Sequence, residues 1–133
     1  MCSSDLEVSD GWIVSFDRGE WGGWLWWFSP DGTTKYKIAD ANVIGFVRAD
    51  AGLLAVTGVA HGVSSKGKLL LVERGVGKAW RANVVVEFQH APEAFFKESA
   101  NSMILVLTGQ LVRVQFAEWR VQVLMDKAFW QGL

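Results

Sequence analysis

GFVRADAGLLAVTG (residues 45–58) returns as AFFKESANSMILVLTG (residues 94–109), and more loosely as SFDRGEWGGWLWWF (residues 15–28). Each copy has an aromatic-led extended stretch, a turn of small or polar residues, and then an apolar strand. Self-similarity at this scale marks an array of supersecondary units that bury their faces against one another. Working outward, the chain is strand-rich throughout. Runs of the usual strand length, rich in Val, Leu, Phe and Trp, begin at Trp12, Trp24, Thr33, Val43, Leu53, Lys68, Asn83, Glu93, Met103, Leu111 and Arg120, many of them separated by Gly, Asp, Asn or Ser. Ser29-Pro30-Asp31-Gly32 has the residues a β-turn wants, and Gly75-Val76-Gly77-Lys78 is a second hairpin candidate. Only residues 91–96 and 116–120 have the makings of a short helical turn. The class is all-β.

The alternation along the strands says how the sheets are covered. Leu69-Leu70-Leu71-Val72 and residues 103–107 are apolar on both faces, which requires cover on both sides. Thr34-Lys35-Tyr36-Lys37-Ile38 and Leu111-Val112-Arg113-Val114-Gln115 alternate, as strands nearer a wet edge should. Inner strands covered twice and outer strands half wet are the pattern of propeller blades, each sandwiched between its neighbours.

Composition removes several classes. With 13 basic and 14 acidic residues interspersed, and a formal net charge of −1, no basic patch exists to hold a phosphate backbone, so nucleic acid is not an expected partner. The 50% hydrophobic content argues against disorder. The longest apolar runs, such as residues 52–60, fall short of the roughly 18 residues a spanning helix needs, so no membrane segment is expected. Cys2 is the one cysteine and offers no internal disulfide. Cytoplasmic and periplasmic locations both stay open. The opening Met1-Cys2-Ser3-Ser4-Asp5-Leu6 is what GTG-TGC-TCT-TCC-GAT-CT encodes when GTG initiates. That string is the tail of a common short-read sequencing adapter, so residues 1–6 are expected to be a library artefact on an environmental sequence and are set aside from the fold.

Four segments carry a family resemblance: residues 19–32 (GEWGGWLWWFSPDG), residues 57–61 (TGVAH), residues 91–94 (APEA) and residues 128–133 (AFWQGL). Together they resemble an uncharacterised bacterial family of β-propeller-like repeat proteins, over most of residues 15–133. Ala100-Asn101 departs from the Asp-Gly turn usual at that point of the repeat. The resemblance implies a partial β-propeller: an incomplete blade at residues 12–38, four-stranded antiparallel blades at residues 43–88 and 94–125, and the start of another at residues 128–133. It brings no activity with it. Residues 61–67 read as an insertion between the second and third strands of their blade. A self-contained sandwich or open barrel is the competing architecture. Two to three blades do not close a ring, so the chain reads as a fragment with an exposed blade face through which copies would associate.

Candidate sites are few. Of the eight tryptophans, five lie in residues 12–27, where alternation sends Trp24, Trp26 and Phe28 one way and Leu25 and Trp27 the other. Core or blade–blade packing is the expected role for most of them. Trp21 and Trp130, close to glycines, are the two expected to be open to a ligand. His61 and His90 are the only histidines; propeller connectivity puts both, with Glu93, on one rim. A metal or general-base role would need these groups to converge, and no HxxxH, HExxH, CxxC or paired-Asp pattern supports one. Glu20 reads equally as a buried polar anchor or a channel-lining ligand. Ser64-Ser65-Lys66 holds a Ser-x-Lys pair without the strand-to-helix elbow a nucleophile needs. No catalytic residue, metal or cofactor is expected. The reading is a non-catalytic scaffold that presents rim loops to a protein or small ligand, with a fragment of a metal-dependent propeller hydrolase or lactonase as the alternative.

Overall fold

The computed structural model describes residues 2–17, 23–61, 64–75, 77 and 79–126. Within them the chain forms twelve strands and no helix. The first sheet is β1 (Cys2–Val8), β2 (Gly11–Asp17), β3 (Gly23–Phe28) and β4 (Lys35–Asp40). The middle sheet is β5 (Val43–Ala49), β6 (Gly52–His61), β7 (Ser64–Arg74) and β8 (Trp80–Phe88). The third is β9 (Pro92–Ser99), β10 (Ser102–Leu107), β11 (Gln110–Gln115) and β12 (Arg120–Asp126). Each is a four-stranded antiparallel meander in chain order, and none closes on itself.

The turns form for the expected chemical reasons. Gly32 sits at φ 77° and donates its N–H to the Ser29 carbonyl. The Asp31 carboxylate accepts from the Thr33 N–H and from both the Ser29 and Thr33 hydroxyls. Those three donors lower its pKa to about 2. Between β7 and β8, Gly75 and Ala79 close the hairpin with an N–H to carbonyl bond of 2.6 Å.

The registers of the three sheets match position by position. Gly11, Gly52 and Ser102 follow the first hairpin, so Trp12, Leu53 and Met103 correspond. Each first strand skips one residue near its start, at Ser3, Ile44 and Glu93. Each fourth strand skips one at Ile38, Val85 and Leu124. Bulges bend and twist a strand, and β9 carries one more, at Glu98 near its end. Gly23, Gly67 and Gly109 also coincide in this frame. At Gly67 a Cβ would lie 2.3 Å from the Pro92 ring, and at Gly23 it would lie 2.7 Å from the Ala41 carbonyl oxygen. In both cases the missing side chain makes room for the chain crossing to the next sheet.

The sheets stack in chain order. Ile13 and Leu25 of the first sheet meet Val43, Leu53, Ala55, Leu70 and Val72 of the middle one. The opposite face of the middle sheet, with Val47, Leu54, Val56 and Leu69, meets Met103, Leu105, Val112 and Val114 of the third. Covering both faces of β6 and β7 is what the continuous apolar runs demanded, and each fully buried Leu there contributes about 1.5–3 kcal/mol. The first strands lie side by side, β1 against β5 and β5 against β9. The Arg48 guanidinium ties the first of these pairs by donating to the Glu7 carbonyl.

Several expectations change. The first sheet has four strands rather than an incomplete set beginning at Trp12, because Cys2–Val8 supplies the first; setting residues 1–6 aside had hidden it. The counterpart of residues 45–58 in the first sheet is therefore residues 4–17, not 15–28, which lie one strand later. The stretch read as an insertion at residues 61–67 does lengthen this hairpin beyond Gly58 and Gly67, where the third sheet turns directly at Thr108 and Gly109, but its described residues continue β6 and β7 as paired strand, with His61 opposite Ser64. Residues 92–96 are strand rather than helical turn. Phe46 and Phe95 do correspond, each facing the preceding sheet. Leu54 and Leu105 do not: Leu54 matches Ile104, and the one-residue slip puts Leu54 and Leu105 on opposite faces.

Candidate functional site: a groove at the shoulder of the middle sheet

β6 and β7 are 10 and 11 residues long, whereas β3 and β4 have six each. Among the described residues the β6–β7 hairpin extends beyond Gly58 and Gly67, past the positions matching Asp17 and Gly23 of the first sheet. A groove of about 310 Å³ lies at this shoulder. Its floor is apolar, made by Leu70, Ala82 and Val84, and its far wall is the end of β4 with the crossing through Ala41 and Asn42. The crossing is held by three bonds. The Ala41 N–H donates to the Gly23 carbonyl, the Gly58 N–H to the Asn42 carbonyl, and the Asn42 amide Nδ2 to the Gly58 carbonyl at 2.7 Å.

The mouth of the groove is polar. Lys66 and Lys68 alternate with Leu70 along β7, so all three face the first sheet. Neither ammonium is in an ion pair among the described residues, whereas Asp40 on the opposite lip is paired with Lys37 at 3.0 Å. The Thr57 hydroxyl accepts from the Lys68 N–H and donates to the Lys68 carbonyl, so this buried polar group is satisfied in place. The arrangement is a concave apolar surface with fixed polar walls and two cations at the rim, near the lower size limit of small-molecule pockets.

At the opposite end of the same two sheets, Asp10 in the β1–β2 turn makes a second polar cluster. One carboxylate oxygen accepts from the indole N–H of Trp27 at 3.1 Å and of Trp80 at 3.0 Å; the other lies 3.4 Å from Arg74. The Tyr36 hydroxyl accepts from the Trp80 backbone N–H, and its ring stacks on Trp27 with centroids 5.2 Å apart. Burial pushes the Asp10 pKa up, but the Trp80 and Trp27 donors and the Arg74 charge outweigh it, leaving the carboxyl below its ordinary range. The cluster has its donors and acceptors matched and bolts the first sheet to the middle one. Sequence reading missed it because its members come from five separate strands and turns; only Trp27, turned with Leu25 away from Trp24 and Trp26, was foreshadowed.

The residues singled out from the sequence are distributed as follows. His90 is half-buried in the crossing between the middle and third sheets, and Glu93 is exposed at the first-strand bulge. Glu93 accepts a long 3.5 Å bond from the Thr108 hydroxyl and lines a shallow depression with Gln110 and Met125. The His61 backbone ends β6 beyond Gly58, which abuts Pro92, but its side chain lies outside the description. Glu20, Trp21 and Trp130 fall outside the described residues. Among the described residues no three His, Cys, Asp or Glu side chains gather around a common point. The tryptophan expectation needs correcting too. Among the described tryptophans of residues 12–27, Trp27 is the one packed between sheets, as Trp80 is from the middle sheet. Trp12, Trp24 and Trp26 lie with Phe16 and Phe28 on the face of the first sheet that no other sheet covers, and Trp12 is 37% exposed.

Comparison with protein-family models, with curated proteins and with solved structures finds no match to this chain.

Proposed function

We propose that the chain is a non-catalytic binding scaffold of the propeller type, and that the shoulder groove takes a small ligand with an apolar body and an anionic end. The single observation that carries this reading is the groove itself: apolar floor, hydrogen-bonded walls, and Lys66 and Lys68 at the mouth with no ion pair among the described residues. Three matched sheets whose first strands run side by side support the propeller reading, as does the resemblance carried by residues 19–32 and 57–61. In such a scaffold the sheets are rigid and the rim carries recognition. His61, His90 and Glu93 stand on the rim as possible contacts for a protein partner rather than as a catalytic set.

The test is an NMR titration with octanoate as the anionic probe and octanol as its neutral analogue. Saturable shifts at Asn42, Thr57, Gly67 and Lys68 are expected with octanoate, at least tenfold weaker with octanol and with the Lys66→Glu/Lys68→Glu variant. Shifts that do not saturate, or that spare these amides, would refute the groove as the binding site.

A further inference from the structure

The repeat defines how one sheet receives the next. The face turned toward the following sheet carries Val47, Leu54, Val56 and Leu69 in the middle sheet; the face that receives it carries Phe95, Met103, Leu105 and Val112 in the third. Two faces are apolar and, among the described residues, have no sheet packed on them. On the first sheet the receiving positions hold Trp12, Val14, Trp26 and Phe28, joined by Phe16 and Trp24. On the third sheet the positions matching Val47, Leu54, Val56 and Leu69 are Phe96, Ile104, Val106 and Leu111, with Phe96 56% exposed. Asp5 stands at the receiving position that Phe46 and Phe95 fill in the other two sheets, with Glu7, Lys35 and Lys37 on the same side of the first sheet; Glu98 and Arg113, paired at 2.7 Å, border the second face.

We propose that two copies of this chain associate head to tail, the third sheet of each covering the aromatic face of the other's first sheet. The occupant of each face is thus a surface whose pattern the molecule already uses twice internally. Head-to-tail contacts either close into a ring or run on as a filament. Propellers hold about four to eight blades, and with three sheets per chain only two copies fall in that range. The assembly is therefore a closed ring of six sheets with two-fold symmetry. This count rests on the propeller reading above but not on the groove, so a failure of octanoate to bind leaves it untouched.

The experiment is light scattering on the eluting full chain, repeated for Trp26→Glu, for Phe96→Glu and for their mixture, with circular dichroism to confirm that each variant keeps its strands. The expected mass is about 29 kDa for the parent chain, twice 14.7 kDa. Each variant alone should dissociate at least tenfold more readily. The mixture should recover a dimer, because the variant damaged on the first sheet keeps an intact third sheet for its partner, and the converse. Phe96 is exposed in the single chain, so Phe96→Glu tests the contact without threatening the fold. A monomeric parent chain overturns the proposal. So does a dimer indifferent to Phe96→Glu, which would mean aromatic faces pairing with each other, and so does a ladder of species heavier than the dimer.

Discussion

Asp10 is the residue on which the junction of the first two sheets turns. It satisfies two indole N–H groups from different sheets, so Asp10→Ala strands both and should cost about 1–3 kcal/mol, while Asp10→Asn, which keeps an acceptor, should cost less. The two neighbouring tryptophans of β3 give a sharper contrast. Trp27 donates to Asp10, whereas the Trp26 indole N–H is buried without a partner among the described residues. Trp→Phe removes the same ring volume at both, so Trp27→Phe should be the more destabilising by about 1 kcal/mol. Urea unfolding in the Phe96→Glu background, which keeps association out of the measurement, checks this; equal losses would remove Asp10 from the account. The pH dependence has a definite sign. Asp10 and Glu98 both titrate below their ordinary values; for Glu98 the Arg113 hydrogen bonds and the Ser102 hydroxyl bring it to about 2. A depressed carboxyl contributes stability above its unfolded pKa and loses it as pH falls through the folded one. The melting temperature should therefore hold steady above about pH 5 and fall between roughly pH 4.5 and 2. A melting temperature unchanged down to pH 2.5 would contradict these assignments.

At the scale of the strands, glycine positions decide how closely sheets approach. A Cβ on Gly45 would sit 2.4 Å from the Phe95 ring, so Gly45→Ala must push the middle and third sheets apart and should cost about 1–3 kcal/mol. Lys97→Ala, on the exposed part of β9, should stay within about 0.5 kcal/mol. Thermal melts of the two variants check the pair, and indistinguishable melts would mean that Phe95 does not seat over Gly45. Eleven of the twelve strands were legible from apolar runs and turn residues, because both signals are local. What stayed hidden was β1, whose Ser-Ser-Asp-Leu-Glu has little strand character and which is held by pairing to β2 and by Leu6 and Val8 packing on the middle sheet. The third copy of the repeat was placed one strand late for the same reason: the tryptophan-rich β3 copies the look of the motif, while the true counterpart, residues 4–17, opens on a largely polar first strand. The insertion between the second and third strands of the middle sheet was legible, but not that it continues the strands, because residues 62–67 hold a single apolar residue, Val63, among Gly, Ser and Lys. On the candidate site, sequence indicated a rim and named histidines there; the lysine-bordered groove depends on relative strand length, which periodicity does not report.

For the molecule as a whole, three four-stranded antiparallel sheets with matching registers are stacked in chain order. Both faces of the middle sheet are covered, and among the described residues the outer face of each end sheet has no sheet packed on it. The stack itself is most directly tested by nuclear Overhauser contacts between sheets. The Gly45 α-protons should show contacts to the Phe95 ring and a strong upfield ring-current shift, the Gly67 α-protons should see the Pro92 ring, and the Trp80 backbone amide should see the Tyr36 ring. Observing all three would establish first-on-middle and middle-on-third packing in this register. Their absence, in a protein whose strands nonetheless pair as described, would mean that the sheets do not stack in chain order and would contradict the account at its base.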